Sequence, residues 1–459
     1  MTPFNPHMFR MYDIRGVADR DLTPEVVFDL GRALGRYYLE RGDRRVLVGR
    51  DNRLSSPRLK DALAAGLVAT GCEVLDAGEV VTPVLYFACA HFKIPNGVMI
   101  TGSHNPPNEN GFKIVAGGTT IHGEEIQRLR ELMLAGEFPR GRGLVREVDA
   151  AGPYLAMLRD KILLGPRRLK VAVDCGNGTA ALFAESILSG WGCAVVPLYC
   201  TSDGTFPHHE PDPVKTKNLA DLRRTVLEER CDLGVGYDGD ADRLGVVDER
   251  GNVIWGDRLM ILFWREILPR HPGATCLVEV KCSQALVDEI VRLGGRPVFH
   301  PTGHSLIKAT MKRTNAVFAG EMSGHLFFAD EYYGFDDAFY ATGRLLRLLS
   351  HTDRPLSALL ADVPRYHATA ETRIPCPDEA KFAVVEKLAE HFRKSHEVVD
   401  VDGVRVLFGD GWGLVRVSNT QPVLVARCEG RTPEALERIC RLVREAVLAA
   451  GVGDFCWEF

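Results

Sequence analysis

The chain has 459 residues, of which 46% are hydrophobic and 25% charged, with a formal net charge of −5. That length is too great for one hydrophobic core and predicts about three to four domains of ordinary globular composition. The negative balance argues against a general nucleic-acid or membrane-binding surface, so an anionic ligand has to meet local positive charge in a cleft.

Twelve cysteines are scattered, several inside apolar segments (Cys72, Cys89, Cys193, Cys276, Cys440), and none forms a C-x-x-C pair. They read as reduced thiols of a cytoplasmic protein rather than a disulfide framework or a zinc site. The opening stretch MTPFNPHMFRMYDIRG lacks the apolar run of a signal peptide, and no apolar run reaches the roughly 18 residues of a membrane span.

In chain order, the apolar spacing predicts a helix over 25–41, a strand over 45–49 and a helix over 58–70 capped by Ser55-Ser56-Pro57. A strand at 72–75, a helix at 84–92 and a strand at 97–100 follow, and Pro139-Arg140-Gly141-Arg142-Gly143 reads as a linker. A second unit has a strand at 169–174, a helix at 180–188, a strand at 194–198, a Pro-rich irregular stretch over 200–216, a helix at 219–229 and strands at 233–236 and 244–248. A third has helices at 259–267, 284–293 and 306–313 and strands at 275–280, 297–299 and 317–319. The fourth is different, with strands near 369–374, 404–408, 413–417 and 423–428 and helices at 379–393 and 433–450. The segments VLVGRDNR…LKDALAAGL, VAVDCGNG…ALFAESIL and VEVKCS…ALVDEIV make a weak internal repeat. The expected fold is therefore α/β: three similar mixed α/β domains (1–148, 149–252, 253–365) followed by a smaller α+β domain (366–459). In open α/β sheets ligands sit beyond the carboxyl ends of strands, so three strand-end loops can converge on one cleft.

The first of these loops is MITGSHNPPNENGFKIV (99–115). A strand runs into Ser103-His104, and the Asn and Pro residues beyond prevent a long helix. This presents a hydroxyl beside His104 with Lys113 further on, as suits a nucleophile facing an anion; a Gly/Pro/Asn turn whose serine bonds the backbone is the plainer alternative. The second loop carries Asp238, Asp240 and Asp242 at alternate positions, followed by Arg243. Their mutual repulsion is relieved by a divalent cation, and oxygen ligands with open positions suit Mg²⁺. An EF-hand is disfavoured because its sixth position is Arg243 rather than Gly and strand-like runs flank it; a solvated acidic turn is the other competitor. Gly320-Glu321-Met322-Ser323-Gly324-His325 offers a carboxylate and a hydroxyl to neighbouring sugar hydroxyls, or is simply a glycine turn. Arg416-Val417-Ser418-Asn419-Thr420 groups donors that suit a phosphate dianion, or is a charged strand end. Gly176-Asn177-Gly178 lacks the full dinucleotide pattern, and His208-His209, with no evident third ligand, reads as structural.

The four motifs TGSHNP, DGDADR, GEMSGH and RVSNTQP, in this order over the whole chain, resemble the α-D-phosphohexomutase superfamily, as does the opening FRMYDIRG. The resemblance implies four domains in a heart-like arrangement around a central cleft. It implies that Ser103 is the phosphorylated serine and that Asp238, Asp240 and Asp242 hold Mg²⁺ together with the seryl phosphate. Glu321 and Ser323 are implied to read the sugar, and Arg416, Ser418, Asn419 and Thr420 the phosphate that is not being transferred. Lys113, Arg243, Lys281, His304 and His325 are implied cleft residues, with Tyr12 and Arg15 as further contacts. The implied reaction is phosphoryl transfer between O1 and O6 of a hexose through a 1,6-bisphosphosugar, with hexose 1,6-bisphosphate as activator and a monomer or weak dimer as the working form. The general base is open among His104, Lys113 and His325.

GEMSGH with TGSHNP resembles the bacterial phosphomannomutase/phosphoglucomutase branch; Met322 and Ala241 depart from the GEQSGH and DGDGDR more usual in phosphoglucosamine mutases, the runner-up. A metal-dependent sugar phosphatase and a non-catalytic sugar-phosphate binder are the alternatives of another class.

Overall fold

The strands of the first unit are apolar through their middles. Val46, Leu47 and Val48 are all buried, which requires helices on both faces of the sheet. In the computed structural model, which describes residues 2–418 and 421–458, this sheet runs Ile14–Val17, Glu109–Ala116, Gly97–Ile100, Arg45–Arg50, Glu73–Glu79, Leu144–Glu147, with Thr119–Thr120 beside Glu109–Ala116. Gly97–Ile100, Arg45–Arg50 and Glu73–Glu79 are parallel, and Glu109–Ala116 returns antiparallel.

The second sheet repeats this order. Leu244–Asp248 returns antiparallel beside Leu233–Tyr237, which is parallel to Lys170–Asp174 and Ala194–Leu198 in turn. The third does so again with Leu326–Phe328, Phe318–Gly320, Thr275–Glu279 and Arg296–His300. In each sheet the last parallel strand runs through a polar loop into an antiparallel return strand. Those loops, 101–108, 238–243 and 321–325, carry three of the four motifs. The fourth sheet is antiparallel throughout and packs against Asp378–Arg393 and Pro433–Ala449. The architecture is three similar α/β domains and a smaller α+β domain.

The helix Thr82–His91, TPVLYFACAH, has no polar face, and its residues from Thr82 to Cys89 are all buried. A helix apolar on every side must be covered on every side. Phe87 meets Tyr154 edge-on at 5.7 Å and Tyr86 meets Phe335 at 5.6 Å, so one continuous core joins the first three domains. The fourth domain has its own core and meets the third through a small apolar cluster, Val280 against Trp412 and Leu414, and through polar groups. Arg405 Nη1 donates to the carbonyls of Val280 (2.6 Å) and Cys282 (2.9 Å), Lys281 pairs with Glu371 at 2.7 Å, and the Thr302 N–H donates to Asp402 (3.0 Å).

Several elements differ from the sequence expectation. The supposed linker at 139–143 is packed against the first domain: the Gly141 and Gly143 N–H groups donate to Ala69 and Val68, and Leu144–Glu147 then adds an edge strand. The strand expected near 369–374 is two short ones, His367–Ala368 and Thr372–Pro375. The helix expected at 180–188 is a 3₁₀ turn, Thr179–Leu182, followed by Ala184–Gly190. The helices Glu124–Ala135, Ala151–Lys161 and Ala338–Ser350 were not foreseen. Ala338–Ser350 is buried over most of its surface, so no polar face marks its period.

The serine loop rests on Arg53, a fully buried guanidinium. Its Nη1 donates to Pro106 O (2.5 Å) and Glu109 O (2.9 Å), and its Nη2 to Ser103 O (2.8 Å) and Asn105 O (2.6 Å). A Cβ on Gly102 would lie 2.4 Å from Arg53 Nε, so only glycine allows this approach. Replacing Arg53 by Leu takes the guanidinium donors away from four loop carbonyls and should cost about 3 kcal/mol, read as a lower melting temperature and faster proteolysis within 103–109. At the seam of the fourth domain, Lys281 holds the Glu371 carboxyl down to about 2 from the ordinary 4.5. Because this pKa is depressed on folding, the pair stabilises above pH 4.5 and its contribution is lost as pH falls through about 2. The melting-temperature gap between wild type and Glu371→Gln should therefore be widest at neutral pH and shrink over that acid window.

Candidate active site

The acidic loop is buried beneath all three α/β domains. Asp238, Asp240 and Asp242 are each 0% exposed, which excludes a solvated acidic turn. The flanking elements are the strands Leu233–Tyr237 and Leu244–Asp248, which excludes an EF-hand. Each domain secures a backbone carbonyl of this loop: Thr82 N–H donates to Asp240 O (3.0 Å), Thr179 N–H to Gly239 O (2.9 Å) and Ala338 N–H to Ala241 O (3.1 Å).

Ser103 reaches the same point from the first domain. Its Oγ donates to Asp238 Oδ2 at 2.7 Å and lies 3.1 Å from His104 Nδ1. The serine proton therefore points to a carboxylate rather than to a histidine base. Ser103 has φ +48°, a left-handed conformation that a non-glycine residue adopts only when its surroundings impose it. The imposition is visible: Thr101 Oγ1 accepts the Ser103 N–H (2.8 Å), Arg53 holds its carbonyl, and Gly239 packs so closely that a Cβ there would lie 2.3 Å from Ser103 O.

Lys113, from the return strand Glu109–Ala116, donates to Asp240 Oδ2 at 2.7 Å and to Asp242 Oδ2. Thr82 Oγ1 donates to the same Asp240 oxygen at 2.5 Å. Burial favours a neutral lysine, but Asp240 and then Asp242 outweigh it and hold Lys113 well above its ordinary pKa. Burial, then Asp242 and Asp240, push the Asp238 carboxyl far up, whereas at Asp242 the pull of Lys113 and His325 overcomes burial and keeps its pKa low. Three buried carboxylates thus face one ammonium. Asp240 Oδ1 and Asp242 Oδ1 are buried without a hydrogen-bond partner, and one oxygen from each aspartate lies within 4.8 Å of the others. This all-oxygen set fits a divalent metal ion.

His325 adjoins this cluster, its Nδ1 lying 3.6 Å from Asp242 Oδ1. Arg243 Nε donates to His325 Nε2 at 2.9 Å. The His304 and His325 rings stack at 5.4 Å, and Tyr12 meets His304 edge-on at 6.4 Å while its hydroxyl donates to Thr302 O (2.8 Å). Arg15 bonds Asp13 through Nε (2.5 Å) and Asn105 in the serine loop through Nη1 (2.9 Å). Glu321 Oε1 accepts the Gly303 N–H at 2.7 Å, and Ser323 follows two residues on in the same loop. From the fourth domain, Arg416 is paired with Asp402 at 2.9 Å, and Asp402 in turn accepts from Thr302. Ser418 O accepts from Lys381 Nζ at 2.7 Å. Asn419 and Thr420 lie outside the described residues.

Thr82, Arg53, Asp336, Lys308, Lys381 and Asp402 were not expected from the sequence. Lys308 had a faint signal, since it lies one helical turn beyond His304 on the same face; the others come from segments with no motif of their own. His208 and His209 are structural: His208 stacks on Tyr199 at 4.0 Å, and His209 Nε2 lies 3.1 Å from Asp174. All twelve cysteines are free. A cavity of about 870 Å³ between the first and third domains, bordered by Ile94 and Met311, contains none of the motif residues. No helix among the described residues is long and apolar enough to cross a membrane.

Four family profiles match the chain in order: phosphoglucomutase/phosphomannomutase alpha/beta/alpha domains I (residues 6–140), II (153–251) and III (255–366), and the C-terminal domain (371–446). The phosphomannomutase/phosphoglucomutase of Pseudomonas aeruginosa is 47% identical over 443 residues, covering 96% of each chain. The phosphoglucomutase of Neisseria meningitidis is 44% identical over 437 residues, covering 94% of this chain and 95% of that one. The crystal structure of a phosphoglucomutase/phosphomannomutase family protein from Burkholderia thailandensis superposes with a TM-score of 0.94 at 40% identity over the full length of both chains. Matched in order by all four domain profiles and nearly half identical to a full-length relative, the chain belongs to the phosphoglucomutase/phosphomannomutase family of α-D-phosphohexomutases.

Proposed function

We propose that the protein moves a phosphoryl group reversibly between O1 and O6 of mannose and glucose phosphates, with phosphorylated Ser103 as donor and a 1,6-bisphosphosugar as intermediate. The observation that carries this reading is the 2.7 Å contact of Ser103 Oγ with Asp238 inside the acidic cluster. A phosphate borne on that hydroxyl would sit beside the three aspartates and the Lys113 ammonium they bind, which supports a phosphate carrier over a hydrolase serine paired with a histidine base.

The sugar hydroxyl attacks phosphorus, the P–Oγ bond of Ser103 breaks, and the hydroxyl proton passes to a base. Lys113 is held protonated and serves as fixed charge on the phosphoryl oxygens, beside Arg243. His104 is kept neutral by burial and then by Arg243 and Arg15, and its Nδ1 faces Ser103 Oγ. With Lys113 held protonated, the proton acceptor in this scheme is one of the two histidines, His104 or His325. Asp238, Asp240, Asp242 and the seryl phosphate would hold Mg²⁺, which when bound supplies positive charge to the transferred group. The bisphosphosugar then turns over and returns its other phosphate to Ser103. Glu321 and Ser323, contacting O3 and O4, suit both orientations, because those hydroxyls exchange places when the sugar flips. Contacts limited to O3 and O4 do not read C2, so both glucose and mannose phosphates fit. Arg416, Ser418, Asn419 and Thr420 would hold the idle phosphate, with Tyr12, Arg15, Lys281 and His304 bordering the cleft. The names of the 44–47% identical relatives support this branch over phosphoglucosamine mutase. A monomer or weak dimer in the cytoplasm remains the accompanying expectation.

Parallel assays of mannose 1-phosphate, glucose 1-phosphate and glucosamine 1-phosphate, with Mg²⁺ and hexose 1,6-bisphosphate, should show 6-phosphate product from the first two. Preference for glucosamine 1-phosphate would move the protein to the other branch, and phosphate release without isomerisation would make it a phosphatase. Ser103→Ala should lower turnover on the order of 10⁴-fold or more. Chelation should abolish activity, and Mg²⁺ should both restore it and raise the melting temperature. That thermal shift should shrink in Asp240→Asn, which removes a ligand charge.

A further inference from the structure

We infer that Asp402 is a positioning residue: its carboxylate fixes the Arg416 guanidinium so that the outer pair of N–H groups serves the phosphate that is not being transferred. This rests on the reading of Arg416 as a phosphate-binding residue given above.

Arg416 lies on the strand Gly411–Val417. A guanidinium on a long side chain keeps one orientation only if something other than the ligand holds it. Asp402 Oδ2 does so, accepting from Arg416 Nε at 2.9 Å, with side-chain exposures of 8% for the arginine and 12% for the aspartate. Pairs on the open surface hold little, whereas a charge-assisted bond withdrawn from water keeps its geometry. Because Nε is committed, a phosphate meets the fork end-on, through Nη1 and Nη2.

The backbone brings the carboxylate to this place. Asp402 sits in the bend before the strand Val404–Leu407, whose first residue pairs with Val415. Gly403 has φ +79°, and a Cβ there would lie 2.5 Å from Arg416 Cβ. Glycine at 403 therefore lets the bend lie flat against the arginine. The carboxylate is also held from outside its own domain. The same Oδ2 accepts the Thr302 N–H at 3.0 Å, and the next N–H along, that of Gly303, donates to Glu321 Oε1 at 2.7 Å. Thr302 is fixed in turn by its Oγ1 on the buried Glu279 (2.5 Å) and by the Tyr12 hydroxyl on its carbonyl (2.8 Å). Asp402 is thus pinned by the third domain while it orients an arginine of the fourth.

Geometry and charge predict opposite patterns of rescue. In Asp402→Asn the amide oxygen takes the place of Oδ2 and accepts both N–H groups without the charge. In Asp402→Glu the charge stays but the longer stem displaces the oxygen. Asp402→Ala removes the acceptor. A positioning role is kept by the first and lost in the other two.

The measurement is the Kd of glucose 1-phosphate by titration calorimetry on full-length protein with Mg²⁺, in a Ser103→Ala background so that nothing turns over, with steady-state kinetics on the Ser103 forms. Asp402→Ala should weaken binding about ten-fold. KM should rise in step while kcat stays within about three-fold, because the groups around Ser103 are untouched. Asp402→Glu should behave like Asp402→Ala, and Asp402→Asn should remain within about three-fold of the parent in Kd. With Arg416→Met already present, Asp402→Ala should change Kd by less than about two-fold, since a residue acting through Arg416 has nothing left to act on. Parent-like binding by Asp402→Ala overturns the inference. So does rescue by Glu where Asn fails, or a loss of about ten-fold that persists beside Arg416→Met. Should Asp402→Ala not fold, the Asn and Glu variants carry the same decision. Unchanged binding in Arg416→Met alone refutes the phosphate-binding reading of that arginine and the inference with it. The expected pattern of Kd values in a protein without mutase turnover would refute the proposed reaction and uphold the role of Asp402.

Discussion

Three carboxylates buried within 4.8 Å of one another repel strongly in a low-dielectric interior, and the molecule is arranged around relieving that repulsion. The loop that carries them belongs to the second domain, which gives Asp238 the N–H groups of Asp242 and Arg243, but the side chains bonded to the triad come from elsewhere. Lys113, Thr82 and Ser103 come from the first domain, and the backbone donor at Ala338 comes from the third. Alone, the second domain would present an acidic loop without its lysine, and the first a lysine without its carboxylates. Neutralising the cluster and joining the domains are therefore one event. The apolar helix Thr82–His91 serves both ends of it: its first residue bonds Asp240, and its later residues fill the core shared by three domains.

The seam with the fourth domain follows a different rule. Guanidinium-to-carbonyl hydrogen bonds and the Lys281–Glu371 pair hold it beside a small apolar contact of Val280 with Trp412 and Leu414, where the first three domains share a much larger core. Polar interfaces exchange with water at modest cost, whereas a continuous apolar core does not open without exposing it. The acidic cluster thus lies where three domains share one core, and the Arg416 loop belongs to the domain joined by the smaller, more polar seam.

The parts of the site contained in a single loop were legible in the sequence. Ser103 and the three aspartates sit in contiguous polar runs directly after apolar strands, and strand ends are where α/β sheets bind ligands. The repeat of three strand–turn–helix units was also legible; it corresponds to the central strands Arg45–Arg50, Lys170–Asp174 and Thr275–Glu279 of three sheets with one strand order. What the sequence did not reveal are residues defined by a partner far along the chain. Arg53 serves carbonyls about fifty residues away, Thr82 is 158 residues from Asp240, and Asp402 is 100 residues from Thr302. Nothing in their neighbourhoods marks them, because their roles exist only once the domains meet. The packed 139–143 segment misled for the opposite reason: glycines that look like a flexible tether are there because the chain lies directly against Thr70 and Gly71.

The left-handed backbone at Ser103 also bears on the choice of hydroxyl amino acid. At φ +48° a second substituent on Cβ clashes with the neighbouring backbone, and β-branched residues are the ones least tolerated there. Threonine offers the same chemical group with one extra methyl, yet this loop admits it only by giving up the turn that Arg53, Thr101 and Gly239 impose. The choice of serine for the proposed phosphate carrier is thus set by steric selection in the backbone before any difference in reactivity between the two alcohols matters.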